Sequence, residues 1–103
     1  MSLFNFMQPQ PDLTEGLKRF HATDGAVLLD VRSPEEYADG HLPGSVNLPL
    51  NRLAAIDLDK HTPLFVYCLS GARSARACAW LGKNGYAAEN IGGLVSYHGK
   101  LVG

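Results

Sequence analysis

Two short, unbroken apolar runs constrain this chain most: "AVLLDV" at 26–31 and "PLFVY" at 63–67. A strand with one wet face alternates apolar and polar residues. A continuous run suits a strand covered on both faces, as in a parallel sheet. Helical signatures surround both runs. "SPEEYADG" follows the first, with Ser33 as N-cap, Pro34 at the first helical position, Glu36 closing a capping box and Gly40 as the stop. "PDLTEGLKRFHA" precedes it, with Asp12 as cap, Glu15 at the capping-box position, and Leu13, Leu17 and Phe20 on one face. Gly16 weighs against that helix by about 1 kcal/mol. Residues 73–83 read as a helix ending near Asn84-Gly85. "HLPGSVNLPL" supplies turn chemistry and a short strand over 45–48, and "LNRLAAI" a short amphipathic helix. "AAENI" reads as a last short strand, and "GGLVSYHGKL" as a turn and half-helix. The first ten residues read as irregular or as one short edge strand. Strands alternating with helices predict an α/β domain around a mostly parallel sheet. At 103 residues the chain is expected to form one domain, 1–103, with a core that needs no staples.

Charge and cysteine usage narrow the function classes. Nine basic and ten acidic residues give a formal net charge of -1, which offers no electrostatic case for nucleic acid or an anionic membrane. The start "MSLFNFMQPQ" lacks the basic and long apolar regions of a signal peptide, so a cytoplasmic location is expected. Cys68 and Cys78 stand outside zinc-site spacing, and His21, His41, His61 and His98 are scattered singly. No metal or other cofactor is expected.

The chemistry concentrates at "VYCLSGARS", residues 66–74. Ligands of parallel sheets bind beyond the carboxyl ends of strands, and Cys68 sits at such an end. Leu69, Ser70, Gly71 and Ala72 carry no large polar side chains, so their useful groups are backbone N–H donors. Glycine lets such a loop curl into an anion-binding nest. The helix beginning near Arg73 or Ser74 adds its unpaired donors and dipole, and Arg73 adds a fixed positive charge. Such surroundings lower a thiol pKa from about 8.5 to roughly 3.5–7.5 and make the thiolate a nucleophile. Four residues separate Cys68 from Arg73, whereas cysteine-dependent phosphatases use five. At about 3.3–3.6 Å of contour per residue, the shorter loop closes a smaller cradle, suited to one sulfur atom rather than a phosphate ester.

These motifs resemble the rhodanese-like sulfurtransferases over nearly the whole chain, about 12–101. "LLDVRSPEEYADGHLPGSVNLP" is similar to the family's first half, "VYCLSGARS" to the active-site loop of single-domain members, and "LGKNGYAAENIGGLVSY" to the ending. The resemblance implies a three-layer sandwich, with a five-stranded, mostly parallel sheet and helices on both faces. It implies that Cys68 takes sulfane sulfur from a small sulfur-containing anion such as thiosulfate, or from a persulfide donor. A thiol acceptor, either small or carried on a protein, or cyanide then removes the sulfur. Backbone N–H groups of 69–74 would hold the persulfide, and Asp30 and Arg32 would brace the site. Members acting on thiosulfate often carry a basic or polar residue where this chain has Leu69, which makes an apolar or protein-bound persulfide an alternative donor. The family's late tryptophan is Tyr97 here.

Plainer roles fit the remaining residues. Cys78 falls with Ala75 and Ala79 on one helical face, which favours core packing over a resolving thiol. Arg76 reads as a solvated helix residue, and Ser70 and Ser74 as hydrogen-bonding residues rather than nucleophiles. Arg32 is equally explained by an ion pair with Glu36 or Glu35. His41 reads as a turn residue, Tyr37 and Tyr97 as core or rim aromatics. Two rival functions stay open: a non-catalytic interaction or redox-sensing module, and a cysteine-dependent phosphatase or arsenate reductase.

Overall fold

The computed structural model describes residues 11–103 of the chain. Four strands, β1 (Val27–Asp30), β2 (Val46–Asn47), β3 (Leu64–Cys68) and β4 (Ala88–Gly93), form one parallel sheet in the order β2-β1-β3-β4. The family resemblance implied five strands; the described residues contain four. The expectation for the first ten residues lies outside the described residues.

Both apolar runs are central strands, and their side chains divide by parity. Leu29, Val31, Leu64, Val66 and Cys68 enter one core, under α3 (Ala72–Lys83) and a 3-10 segment, Leu50–Ala55. Leu28, Phe65 and Tyr67 enter the other, with Ile91 of β4, under α1 (Leu13–His21). The result is the three-layer arrangement, helices on both faces of the sheet. Burial of each large apolar side chain contributes about 1.5–3 kcal/mol before entropy is counted.

Local chemistry explains the element ends. Ser33 and Glu36 form the full capping box of α2 (Pro34–Asp39): Ser33 Oγ accepts from the Glu36 N–H at 3.2 Å, and Glu36 Oε1 accepts from the Ser33 N–H at 3.0 Å. At α1, Asp12 caps by accepting from the Thr14 N–H at 3.0 Å. Glu15 does not close a box there; it pairs instead with Lys18 at 3.0 Å, one turn along the exposed face. Gly16 lies where α1 meets β4, and a Cβ there would overlap the Ile91 side chain. Close helix–sheet contact therefore offsets its low helix propensity. β2 covers only two of the expected residues 45–48, although the Leu48 N–H still donates to the Asp30 carbonyl at 2.9 Å; Asn47 Nδ2 adds bonds to the carbonyls of Asp30 and Arg32, each at 3.0 Å. "LNRLAAI" winds as 3-10 turns with a break at Arg52 rather than as one helix, burying only Leu53.

On α3 the buried residues are Ser74, Ala77 and Leu81. Cys78 is half-buried and packs against that core, whereas Ala75 and Ala79 are exposed. The expected face was thus misplaced: the buried stripe runs through Ser74, Ala77 and Leu81, three and four residues apart, and Cys78 lies at its edge. The core role of Cys78 holds, and burial pushes its thiol up to about 12.

Candidate active site

Cys68 ends β3, and α3 begins four residues later. Gly71 makes that turn possible: it is the N-cap of α3 with φ 98°, a left-handed conformation that residues with a Cβ disfavour. The turn brings the start of α3 back onto the sulfur. The Gly71 N–H donates to Cys68 Sγ at 3.0 Å and the Ser74 N–H at 3.4 Å, with Ser74 Oγ also 3.4 Å away. Burial alone raises the Cys68 pKa. The Ser74 hydroxyl and the N–H groups of Ser74, Gly71 and Ser70 outweigh it, and the thiol is held below its ordinary value. Cys68 itself has no exposed surface (0%), although Leu69, Ser70 and Ala72 are exposed.

Arg73 stands on the first turn of α3, and its guanidinium makes a bidentate pair with Glu36 of α2: Nη1–Oε1 2.7 Å and Nη2–Oε2 3.0 Å. Arg73 holds the Glu36 carboxyl down at about 2, against the opposing effect of burial. The single Glu36 side chain therefore caps α2 and anchors α3 across the loop. The positive charge expected at the loop is shared with a carboxylate.

Asp30 and Arg32 do not touch the sulfur. Arg32 donates to Asp30 from its backbone N–H at 2.9 Å and from Nη2 at 2.7 Å, and its Nη2 also reaches the Gly40 carbonyl at 2.7 Å. Both are buried, so this pair ties the end of β1 to the segment leaving α2. The alternative partners for Arg32, Glu35 and Glu36, are not used. His41 was expected in a turn but pairs with Val102 in a single antiparallel β-bridge; its Nδ1 lies 2.7 Å from the Tyr37 carbonyl and its ring stacks on Tyr37. Tyr37 is a rim aromatic that donates to the Ser45 carbonyl at 2.6 Å.

Two participants were not singled out from the sequence as members of the site. Glu36 was expected at its cap or paired with Arg32, not with Arg73. Asn90, on β4, was passed over; its Oδ1 accepts from Ser74 Oγ at 2.7 Å. No local signal points to Asn90, because only strand pairing brings β4 beside the loop.

A cleft of about 860 Å³ runs along α3 and is bordered by Pro34, Leu50, Leu53, Arg73, Arg76 and Trp80. Arg76 is exposed there, as expected. Cys68 is not on its wall, so the cleft adjoins the thiol through Arg73 and does not contain it. Among the described residues, no group of three or more His, Cys, Asp or Glu side chains is placed to hold a metal ion, and no helix is long and apolar enough to cross a membrane.

Fold and loop define a class: a parallel α/β domain that presents one thiol to a cradle of backbone donors between a strand and a helix. The chain belongs to the rhodanese-like domain family, whose model matches residues 13–100. It is 35% identical over 84 residues to a protein named sulfurtransferase from Allochromatium vinosum, covering 78% of each chain. It is 41% identical over 71 residues to thiosulfate sulfurtransferase PspE of Escherichia coli, covering 64% of this chain and 68% of that one. Among solved structures it is similar to the human single-domain sulfurtransferase TSTD1, with a TM-score of 0.71 and 29% identity, covering 87% of this chain and 95% of that one.

Proposed function

We propose that the protein is a sulfurtransferase in which Cys68 carries sulfane sulfur as a persulfide. The observation that carries this reading is the convergence of the Gly71 and Ser74 N–H groups and the Ser74 hydroxyl on one sulfur at a strand end. The sulfurtransferase names of its relatives support it. The Cys68 thiolate attacks the outer sulfur of the donor. An Sγ–S bond forms, the donor S–S bond breaks, and its electron pair leaves with the rest of the donor, as sulfite when the donor is thiosulfate. An acceptor thiolate or cyanide then attacks the outer sulfur and returns Cys68 as thiolate. No general base is required, which fits a loop without His, Asp or Glu.

Leu69, Ser70, Gly71, Ala72, Arg73 and Ser74 form the cradle in this reading. Its backbone donors hold the persulfide, Arg73 and Glu36 fix the loop, and Asp30 with Arg32 stiffens the sheet end beneath it. The donor is a small sulfur-containing anion or a persulfide, and the acceptor a thiol. A reducing compartment such as the cytoplasm keeps Cys68 available.

Mass spectrometry after incubation with thiosulfate or an organic persulfide should show one added sulfur on Cys68. Cyanide should remove it as thiocyanate, and Cys68→Ser should abolish turnover. No adduct from any donor would overturn the proposal. The full burial of Cys68 favours one other reading, a non-catalytic interaction or redox-sensing module, because the loop must shift to admit a donor. A thiol that titrates normally and never forms a persulfide would select that reading.

A further inference from the structure

Asn90 is half-buried on β4 and makes no contact with the sulfur, yet three hydrogen bonds hold its amide. Oδ1 accepts from the Gly92 N–H at 3.0 Å and from Ser74 Oγ at 2.7 Å, and Nδ2 donates to the Gly71 carbonyl at 3.3 Å. Reversing the amide would set its NH2 against the Gly92 N–H, so Oδ1 is fixed as the acceptor toward Ser74. Ser74 is fully buried, and its hydroxyl has one proton. Three acceptors surround that proton: Asn90 Oδ1 at 2.7 Å, the Gly71 carbonyl at 3.1 Å and Cys68 Sγ at 3.4 Å. The proton serves one of them well at a time.

We infer that Asn90 is a positioning residue whose amide oxygen is the resting place of the Ser74 hydroxyl proton, so that the hydroxyl rotates between Asn90 and Cys68 as charge on the sulfur comes and goes. The inference deepens the sulfurtransferase reading and rests on it for the turnover step. When Sγ is a thiolate, the hydroxyl donates to it. As Sγ attacks, its electron pair enters the new Sγ–S bond, the donor S–S bond breaks, and that pair departs with the leaving group. Sγ becomes a neutral bridging sulfur and a weak acceptor. The hydroxyl then turns to Asn90 Oδ1, keeping its proton throughout. Asn90 thus stabilises states in which Sγ has lost charge, the transition state included, and mildly opposes the free thiolate. In a buried site, where hydrogen bonds polarise one another, that difference is felt. The charged groups around the loop are the Arg73–Glu36 pair, on α3 and α2, and the Asp30–Arg32 pair at the end of β1. Neither pair involves Asn90.

The opposing effects on thiolate and transition state give a signature that structural damage does not. The thiolate absorbance of Cys68 is titrated, and the rate of its loading by thiosulfate is measured above the titration midpoint. In Asn90→Ala the hydroxyl is left to the sulfur: the midpoint falls, while loading slows about three- to tenfold, the effect of one hydrogen bond. Asn90→Asp keeps the acceptor and adds negative charge, so its midpoint rises. In a Ser74→Ala background, Asn90→Ala moves neither quantity. A rise of the midpoint in Asn90→Ala, or effects of full size without the Ser74 hydroxyl, would overturn the inference. Failure of every donor to load Cys68 would refute the proposed function, and the titrations would still decide the role of Asn90.

Discussion

The Glu36–Arg73 pair is the main tie between α2 and the active-site helix, and its strength is measurable. The lowering of the Glu36 carboxyl from 4.5 to about 2 sets an upper bound of about 3 kcal/mol by proton linkage. The two side chains are 34% and 31% exposed, and solvent screening reduces this to about 1–2 kcal/mol. Glu36→Gln isolates the charge, because the glutamine oxygen still accepts from the Ser33 N–H and keeps the cap. With Arg73→Met and the double variant it completes a cycle, read by urea unfolding. At pH 7 the coupling energy should be about 1–2 kcal/mol, and Glu36→Gln should lower the urea midpoint by about 0.5–1 M. A carboxyl whose folded pKa is depressed stabilises fully above its unfolded value. The contribution fades as pH falls through the window from 4.5 toward 2, so at pH 3 the coupling should be about half its neutral value. A coupling below about 0.3 kcal/mol at pH 7, or one unchanged at pH 3, would refute the reasoning.

Iodoacetamide at neutral pH should alkylate Cys68, at a rate set by the loop shift that uncovers it, and spare Cys78, whose thiol stands near 12; peptide mapping by mass spectrometry reads the two sites separately. Ser74→Ala should raise the Cys68 titration midpoint toward the ordinary thiol value, since it removes one of the groups that lower it; an unchanged midpoint would deny the hydroxyl its contact. Gly16→Ala drives a methyl group into Ile91 and should cost about 1–3 kcal/mol in chemical unfolding despite the better helix propensity of alanine. A stabilised Gly16→Ala protein would show that α1 and β4 are not in close contact.

The sequence by itself determined the layer order and the reactive residue. Continuous apolar runs at 26–31 and 63–67 demanded a sheet covered on both faces, and β1 and β3 are buried in two separate cores. The Ser33–Glu36 box and the position of Gly71 are local, so residue identity and spacing suffice to read them. The nest around Cys68 is equally local: thiol and donors lie within seven consecutive residues, and the chain has only to turn once to join them. Only the tertiary structure decided what those residues bind beyond the loop. Arg73 reaches Glu36 across 37 positions, and Ser74 reaches Asn90 across 16. Arg32 pairs with Asp30, two positions before it, rather than with Glu35 or Glu36, and Glu36 is committed to its cap and to Arg73. The reason is physical. Backbone geometry and capping follow from near neighbours, whereas the choice among several nearby charges depends on which strands and helices the fold sets side by side.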